Sequence, residues 1–142
     1  IRKSLEQGKV EISNTYLGRL YCTSGIVIHG DALGRKIGFP TANIQLNDPY
    51  KLIPADGVYV VKAIIKGRTY NGMVNIGYRP TVDGQMHTIE ANVFDFNANI
   101  YDENIEIQFI KMLRKEVKFD NIDELTIQLS KDKALAIEIL NS

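Results

Sequence analysis

The stretch GVYVVKAIIKGRTYNGMVNIG, Gly57 to Gly77, decides how the rest of the chain is read. It holds apolar, β-branched runs too short to be helices, interrupted by small polar pieces. Val, Ile and Tyr suit a pleated, half-buried surface. A Lys-Gly or Asn-Gly pair between two such runs marks a two-residue hairpin, because glycine accepts the positive φ that such turns require. The hairpin is expected at Lys66-Gly67 and a bulge at Asn71-Gly72. Working outward, SGIVIHG (Ser24 to Gly30) is another short β-branched run. HTIEANVFDF (His87 to Phe96) sets Ile89, Ala91 and Val93 on one face and Thr88, Glu90 and Asn92 on the other, with Asp95 and Phe96 ending the strand. NIEIQFIKML (Asn104 to Leu113) alternates Ile105, Ile107 and Phe109 against Glu106, Gln108 and Ile110.

The two ends read differently. Residues Ile1 to Leu20 are helical in pattern, broken by Gly8 and by Ser13-Asn14 into two short helices. Near the other end, Asn121 and Glu124 form a capping-box-like start. Leu125, Leu129, Ala136 and Leu140 then recur at helical spacing, as one terminal helix laying an apolar stripe on the rest. Strands gathered in the middle with helices at the ends favour an antiparallel barrel over a parallel α/β sheet.

Composition narrows the functional classes. The 142 residues are 44% hydrophobic, enough for the core of one domain. Seventeen basic residues balance seventeen acidic ones, which argues against a nucleic-acid binder with its usual basic excess. Cys22 is the single cysteine, so no internal disulfide exists and the cytoplasm is the expected compartment. No apolar run approaches the roughly 18 residues of a membrane span, and the first ten residues lack the apolar centre of a signal peptide.

Four places carry candidate chemistry. GDALGRKIGFPTAN, Gly30 to Asn43, is rich in glycine, which lets backbone N–H groups approach phosphate oxygens, and Arg35 and Lys36 add charge. It is not a Walker A loop, since Ile37 follows Lys36. Thr41 and Asn43 point to the same side in extended chain and offer hard oxygen donors suited to Mg²⁺; equally, such side chains satisfy loop backbone groups. Glu90 is either a general base or a solvated outer-face carboxylate. NIGYRPT, Asn75 to Thr81, is expected to end a strand and turn through Gly77 and Pro80, with Arg79 a phosphate contact or a surface cation. MLRKEVKF, Met112 to Phe119, is either a charged connector or a rim in which Arg114 and Phe119 stack over a flat ligand. His29 and His87 lack metal-ligand spacing.

Together and in this order, GDALGRKIGFPTAN, GVYVV, NIGYRPT, IEANVFDF and FIKMLRKEVKF resemble the riboflavin kinase family in its bacterial form. The resemblance runs from about Gly18 into the final helix. It implies a mainly β fold, a six-stranded antiparallel Greek-key barrel with short N-terminal helices and a C-terminal helix over residues 121–140. It implies transfer of the γ-phosphate of ATP to the 5′-hydroxyl of riboflavin, giving FMN and ADP, with Mg²⁺ as cofactor. Glu90 would accept the hydroxyl proton. His29, Gly30, Gly34, Arg35, Lys36, Thr41 and Asn43 would bind ATP and its phosphates, Thr41 and Asn43 also holding the metal. Gly30 to Lys36 would form a mobile flap, and Asn75, Leu113, Arg114 and Phe119 would border the flavin. Val82 and Asn92 depart from the family's usual aromatic residue and histidine.

The opening IRKSLEQGKVEISNTYLGR is similar to the close of the adenylyltransferase domain that precedes the kinase module in bifunctional bacterial enzymes. The resemblance therefore divides the chain into residues 1–18, the end of that domain and its linker, and residues 19–142, the kinase barrel. It implies FMN as the only flavin product, and neither a nucleic-acid nor a membrane partner. A non-catalytic flavin-binding barrel is the alternative, which needs neither the Thr41–Asn43 pair nor Glu90.

Overall fold

The computed structural model describes residues 1–28, 41–48, 51–81, 84–96 and 102–141. Six strands form a closed barrel: β1 (Tyr21–Ile28), β2 (Ala42–Leu46), β3 (Gly57–Ile65), β4 (Arg68–Thr81), β5 (Gly84–Val93) and β6 (Asn104–Arg114). They run in the order β1-β2-β5-β4-β3-β6, every neighbouring pair antiparallel, as the resemblance implied. Two short helices, α1 (Arg2–Glu6) and α2 (Val10–Leu17), precede the barrel, and α3 (Ile122–Leu140) follows it.

The hairpin lies at Lys66-Gly67 as read from the sequence: Lys66 has φ 52°, Gly67 has φ 77°, and Ile65 faces Arg68. Asn71-Gly72 is not a bulge. Both residues pair in unbroken register with Lys62 and Val61, and the irregularities fall instead between β3 and β6, at Val58/Tyr59 and Val60/Val61. Gly72 serves close approach, since a Cβ there would lie 2.7 Å from the carbonyl oxygen of Asn92.

The expected turn through Gly77 and Pro80 is also absent. Strand β4 continues to Thr81 and pairs with β5 as far as Thr81–Gly84. Proline is tolerated because β3 pairing stops at Gly57–Ile76, so Pro80 takes no ladder bond from β3. Gly77 admits the Glu116 carboxylate, whose Oε2 would come 1.8 Å from a Cβ built there.

At the N-terminus only Gly8, at φ 76°, breaks the helical run; Ser13 and Asn14 lie inside α2. Their side chains do not compete with the helix backbone because they have distant partners. Ser13 Oγ donates to the Ile1 carbonyl at 3.3 Å, and Asn14 Nδ2 donates to the Phe109 carbonyl at 2.8 Å. Asn14 Oδ1 accepts from the Tyr21 amide. This side chain ties α2 to both β1 and β6.

Period-two alternation sends one side of each strand into the barrel. There Tyr59 and Phe109, both fully buried, meet edge to face with centroids 5.4 Å apart. Leu5 and Val10 join the same cluster, so residues 1–18 pack on the barrel's own core. The Ala55 amide donates to the Leu5 carbonyl at 2.9 Å, holding α1 to the segment that leads into β3. Outside the barrel, α3 covers a second cluster of Val58, Val60, Met73, Phe94 and Ala136. Asn121 caps α3 as expected, accepting from the Glu124 amide at 2.9 Å, while Glu124 Oε2 accepts from the Asp120 amide at 3.4 Å.

Candidate active site

Cross-strand register assembles the site. Asn43 on β2 stands opposite Glu90 on β5, Glu90 opposite Asn75 on β4, Asn75 opposite Val58 on β3, and Val58 opposite Arg114 on β6. Residues directly opposite one another share a face of the sheet. Their neighbours Ala91, Val74 and Tyr59 fill the barrel interior, so this row lies on the barrel's outer face, on the side that α3 covers. Residues separated by up to 71 positions, from Asn43 to Arg114, thereby fall on one transverse line.

A cavity of about 120 Å³ opens between this row and the C-terminal segment. Val58 and Met73 form its apolar base, and Asn75, Glu90 and Asn92 its polar wall. Glu116, Val117 and Phe119 bound it from the segment before α3, and Leu125 and Leu129 bound it from α3 itself. Glu90 is only 7% exposed and Asn92 8%, so the reading of Glu90 as a solvated outer-face carboxylate is corrected: the helix and its leading segment enclose it. Asn75 Oδ1 is buried and has no hydrogen-bond partner among the described residues. A buried acceptor left unpaired costs about 1–3 kcal/mol, a cost that a ligand donor would remove.

Arg114 lines the cavity at the far end of the row from Asn43, and its guanidinium lies over the Phe119 ring at 5.7 Å from the centroid. Thus the two residues expected to stack over a ligand stack on each other at the cavity's border. Leu113 packs against the second apolar cluster and is not part of the cavity wall. Thr41 immediately precedes β2, two residues from Asn43. The candidates His29, Gly30, Gly34, Arg35 and Lys36, the flap they belong to, and Val82 lie outside the described residues. His87 pairs with Asp56, Nε2 to Oδ1 at 2.7 Å, and stacks on Tyr78.

Sequence reasoning missed Asp132. It is 3% exposed on the barrel-facing side of α3 and grips Arg114 with both oxygens: Nε reaches Oδ1 and Oδ2 at 3.0 Å, and Nη2 reaches Oδ2 at 2.9 Å. The signal was present. Asp132 falls between Leu129 and Ala136 at helical spacing, a carboxylate inside an apolar stripe, which is stable only with a buried partner.

Comparison with known proteins places this geometry. Residues 17–140 match the family model described as flavokinase, riboflavin kinase. The bifunctional riboflavin kinase/FMN adenylyltransferase of Bacillus subtilis is 49% identical over 100% of this chain and 46% of its own length. The enzyme of the same name from Haemophilus influenzae is 43% identical over 100% of this chain and 46% of its own. The chain thus spans about half the length of the curated relatives it matches. A crystal structure described as a macrolide-efflux protein from Streptococcus pneumoniae gives a TM-score of 0.88 at 39% identity, covering 95% of this chain and 44% of the other. No helix among the described residues is long and apolar enough to cross a membrane. Riboflavin kinase from Trypanosoma brucei gives a TM-score of 0.58 at 21% identity, over 85% of this chain and 77% of that one, a likeness of fold alone. With a family model matched along most of its length and relatives this similar, the chain belongs to the riboflavin kinase family.

Proposed function

We propose that the chain transfers the γ-phosphoryl group of ATP to the 5′-hydroxyl of riboflavin, yielding FMN and ADP. The observation that carries this reading is the single row Asn43–Glu90–Asn75–Val58–Arg114. With Asn43 taken as the phosphate end, the row sets Glu90 between it and the Arg114 end.

Phosphoryl transfer depends mainly on positioning and on stabilising charge. Glu90 takes the proton of the ribityl hydroxyl as that oxygen attacks the γ-phosphorus, and ADP leaves from the opposite side. Asn75 accepts a hydrogen bond from the flavin, and the Arg114–Phe119 pair borders its ring. Glycines 30 and 34, with His29, Arg35 and Lys36, supply donors and charge for the phosphates. Enclosure by α3 keeps water from competing for the phosphoryl group.

The donor set also suits Mg²⁺. Among the described residues no group of three or more His, Cys, Asp or Glu side chains forms a protein cage for a metal. Mg²⁺ needs none, because it retains waters and substrate phosphates and takes only one or two protein oxygens. Thr41 and Asn43 offer a hydroxyl and an amide oxygen two residues apart and would hold it. The bound ion offsets phosphate charge. The lone thiol, Cys22, suits a reducing cytoplasm.

Incubation with riboflavin, ATP and Mg²⁺, followed by chromatography of the flavins, tests the reading. FMN is the expected product. Riboflavin bound but unchanged would favour the non-catalytic flavin-binding barrel.

A further inference from the structure

The pairing of Arg114 with Asp132 is tighter than anchoring a helix requires. Three of the guanidinium's five N–H groups are committed: Nε and Nη2 to Asp132, and Nη1 to the Lys115 carbonyl at 3.2 Å. Asp132 is itself oriented, because Gln128 Nε2, one helical turn earlier, donates to Oδ1 at 2.9 Å. The Asp132 side chain is 4% exposed and that of Arg114 19%, so water screens the pair poorly. Yet Arg114 still borders the cavity, with one face of its guanidinium over the Phe119 ring and two of its N–H groups outside these bonds.

Charge gives the arrangement a chemical direction. An arginine alone at a pocket end favours phosphate. Here a carboxylate neutralises it, and Glu90 and Glu116 also line the cavity. That end therefore disfavours an anion and suits a flat, uncharged heterocycle with acceptor atoms at its edge. Building on the proposed kinase reaction, we infer that Asp132 is a positioning residue: it fixes Arg114 for the neutral ring of the acceptor substrate and denies that end of the pocket to phosphate. In this way α3 takes part in substrate selection.

Steady-state kinetics with each substrate varied, together with riboflavin fluorescence titration, tests the inference on two variants. Asp132→Asn keeps the shape and removes the charge. It is expected to raise the riboflavin KM and dissociation constant by about tenfold or more, the equivalent of one charge-assisted hydrogen bond, while the ATP KM stays within about twofold. Asp132→Ser removes the carboxylate, leaves Arg114 in place at the cavity and makes room for water to solvate the guanidinium. If the pair only held α3 in place, thermal unfolding would shift while the riboflavin KM of the folded protein stayed near native; with a positioning role the riboflavin KM rises in this variant as in Asp132→Asn. Asp132→Ser decides the matter even if Asp132→Asn fails to fold. A near-native riboflavin KM in either folded variant, or equal rises for both substrates, overturns the inference. Absence of FMN formation by the unaltered protein would instead overturn the kinase reading.

Discussion

Two neighbouring rows of the barrel differ by one residue on each strand and share almost nothing chemically. One runs Ala42–Ala91–Val74–Tyr59 and is buried throughout, with Val74 and Tyr59 fully inaccessible. The next runs Asn43–Glu90–Asn75–Val58–Arg114 and carries the candidate site. The same strands thus build a core on one face and a polar pocket on the other. A register slip of one residue would exchange the two. The apolar row locks the pairing by its burial, and the polar row inherits its alignment. This separation implies that changes in one row alter turnover or affinity, while changes in the other alter stability.

The largest effect is expected at Glu90. Glu90→Gln preserves shape and cannot accept a proton, so FMN formation should fall roughly 10²–10⁴-fold with riboflavin binding and thermal unfolding little changed. Near-normal turnover would remove Glu90 from the reaction and leave the polar row without its base.

The converse experiment lies inside the barrel. Phe109 is fully buried against Tyr59, and Phe109→Ala should cost about 3–5 kcal/mol in urea unfolding. The KM values of the protein that remains folded should match those of the parent. A selective change in riboflavin KM would show that the two faces are not independent.

Asn75→Ala sharpens the comparison further because its two readouts should diverge. Removing a buried, unpaired acceptor spares a cost of about 1–3 kcal/mol, so stability should hold or rise despite the lost volume. Riboflavin affinity should fall about tenfold, the equivalent of one hydrogen bond. Stability and affinity falling together would return Asn75 to a purely structural role.

Smaller effects are expected at the helix that closes the pocket. Asn121→Ala removes the cap of α3 and should lower stability by about 1 kcal/mol, seen as a modest fall in melting temperature.

The effect of Tyr59 on the pH dependence of stability is confined to alkaline pH. Burial raises its phenol pKa above the usual 10.0, with added repulsion from Asp56 and Glu11. Below pH 10 both folded and unfolded chains keep the proton, and the group's contribution is constant. Above it the unfolded chain releases the proton first, so stability falls as pH rises. Tyr59→Phe should flatten that alkaline decline in unfolding measurements, while Glu90→Gln should leave it unchanged.

Much of the fold was legible where it depends on short-range chemistry. The Lys66-Gly67 turn follows from its need for positive φ, and the cap at Asn121 from an oxygen placed three residues before an amide. The alternation of Ile105, Ile107 and Phe109 showed which face of β6 is buried. The errors came where a local habit was outweighed by a distant partner. Ser13 and Asn14 resemble helix breakers until Ile1, Tyr21 and Phe109 supply their hydrogen bonds. Gly77 resembles a turn until the Glu116 carboxylate lies against it.

For the site, sequence by itself determined the inventory: a carboxylate on the polar side of a strand, oxygen donors two residues apart at Thr41 and Asn43, and an arginine near the final helix. These depend on residue type and on periodicities of two or 3.6, which a chain carries in its order. Only the tertiary structure decided that Glu90 is enclosed, that Asn43, Glu90, Asn75 and Arg114 share one row, and that Asp132 holds Arg114. Each of those facts depends on which strands pair and in what register, and on how α3 lies across them. The physical reason is that a charge's cost is set by the dielectric and the partners around it in space, which neighbours in sequence do not specify.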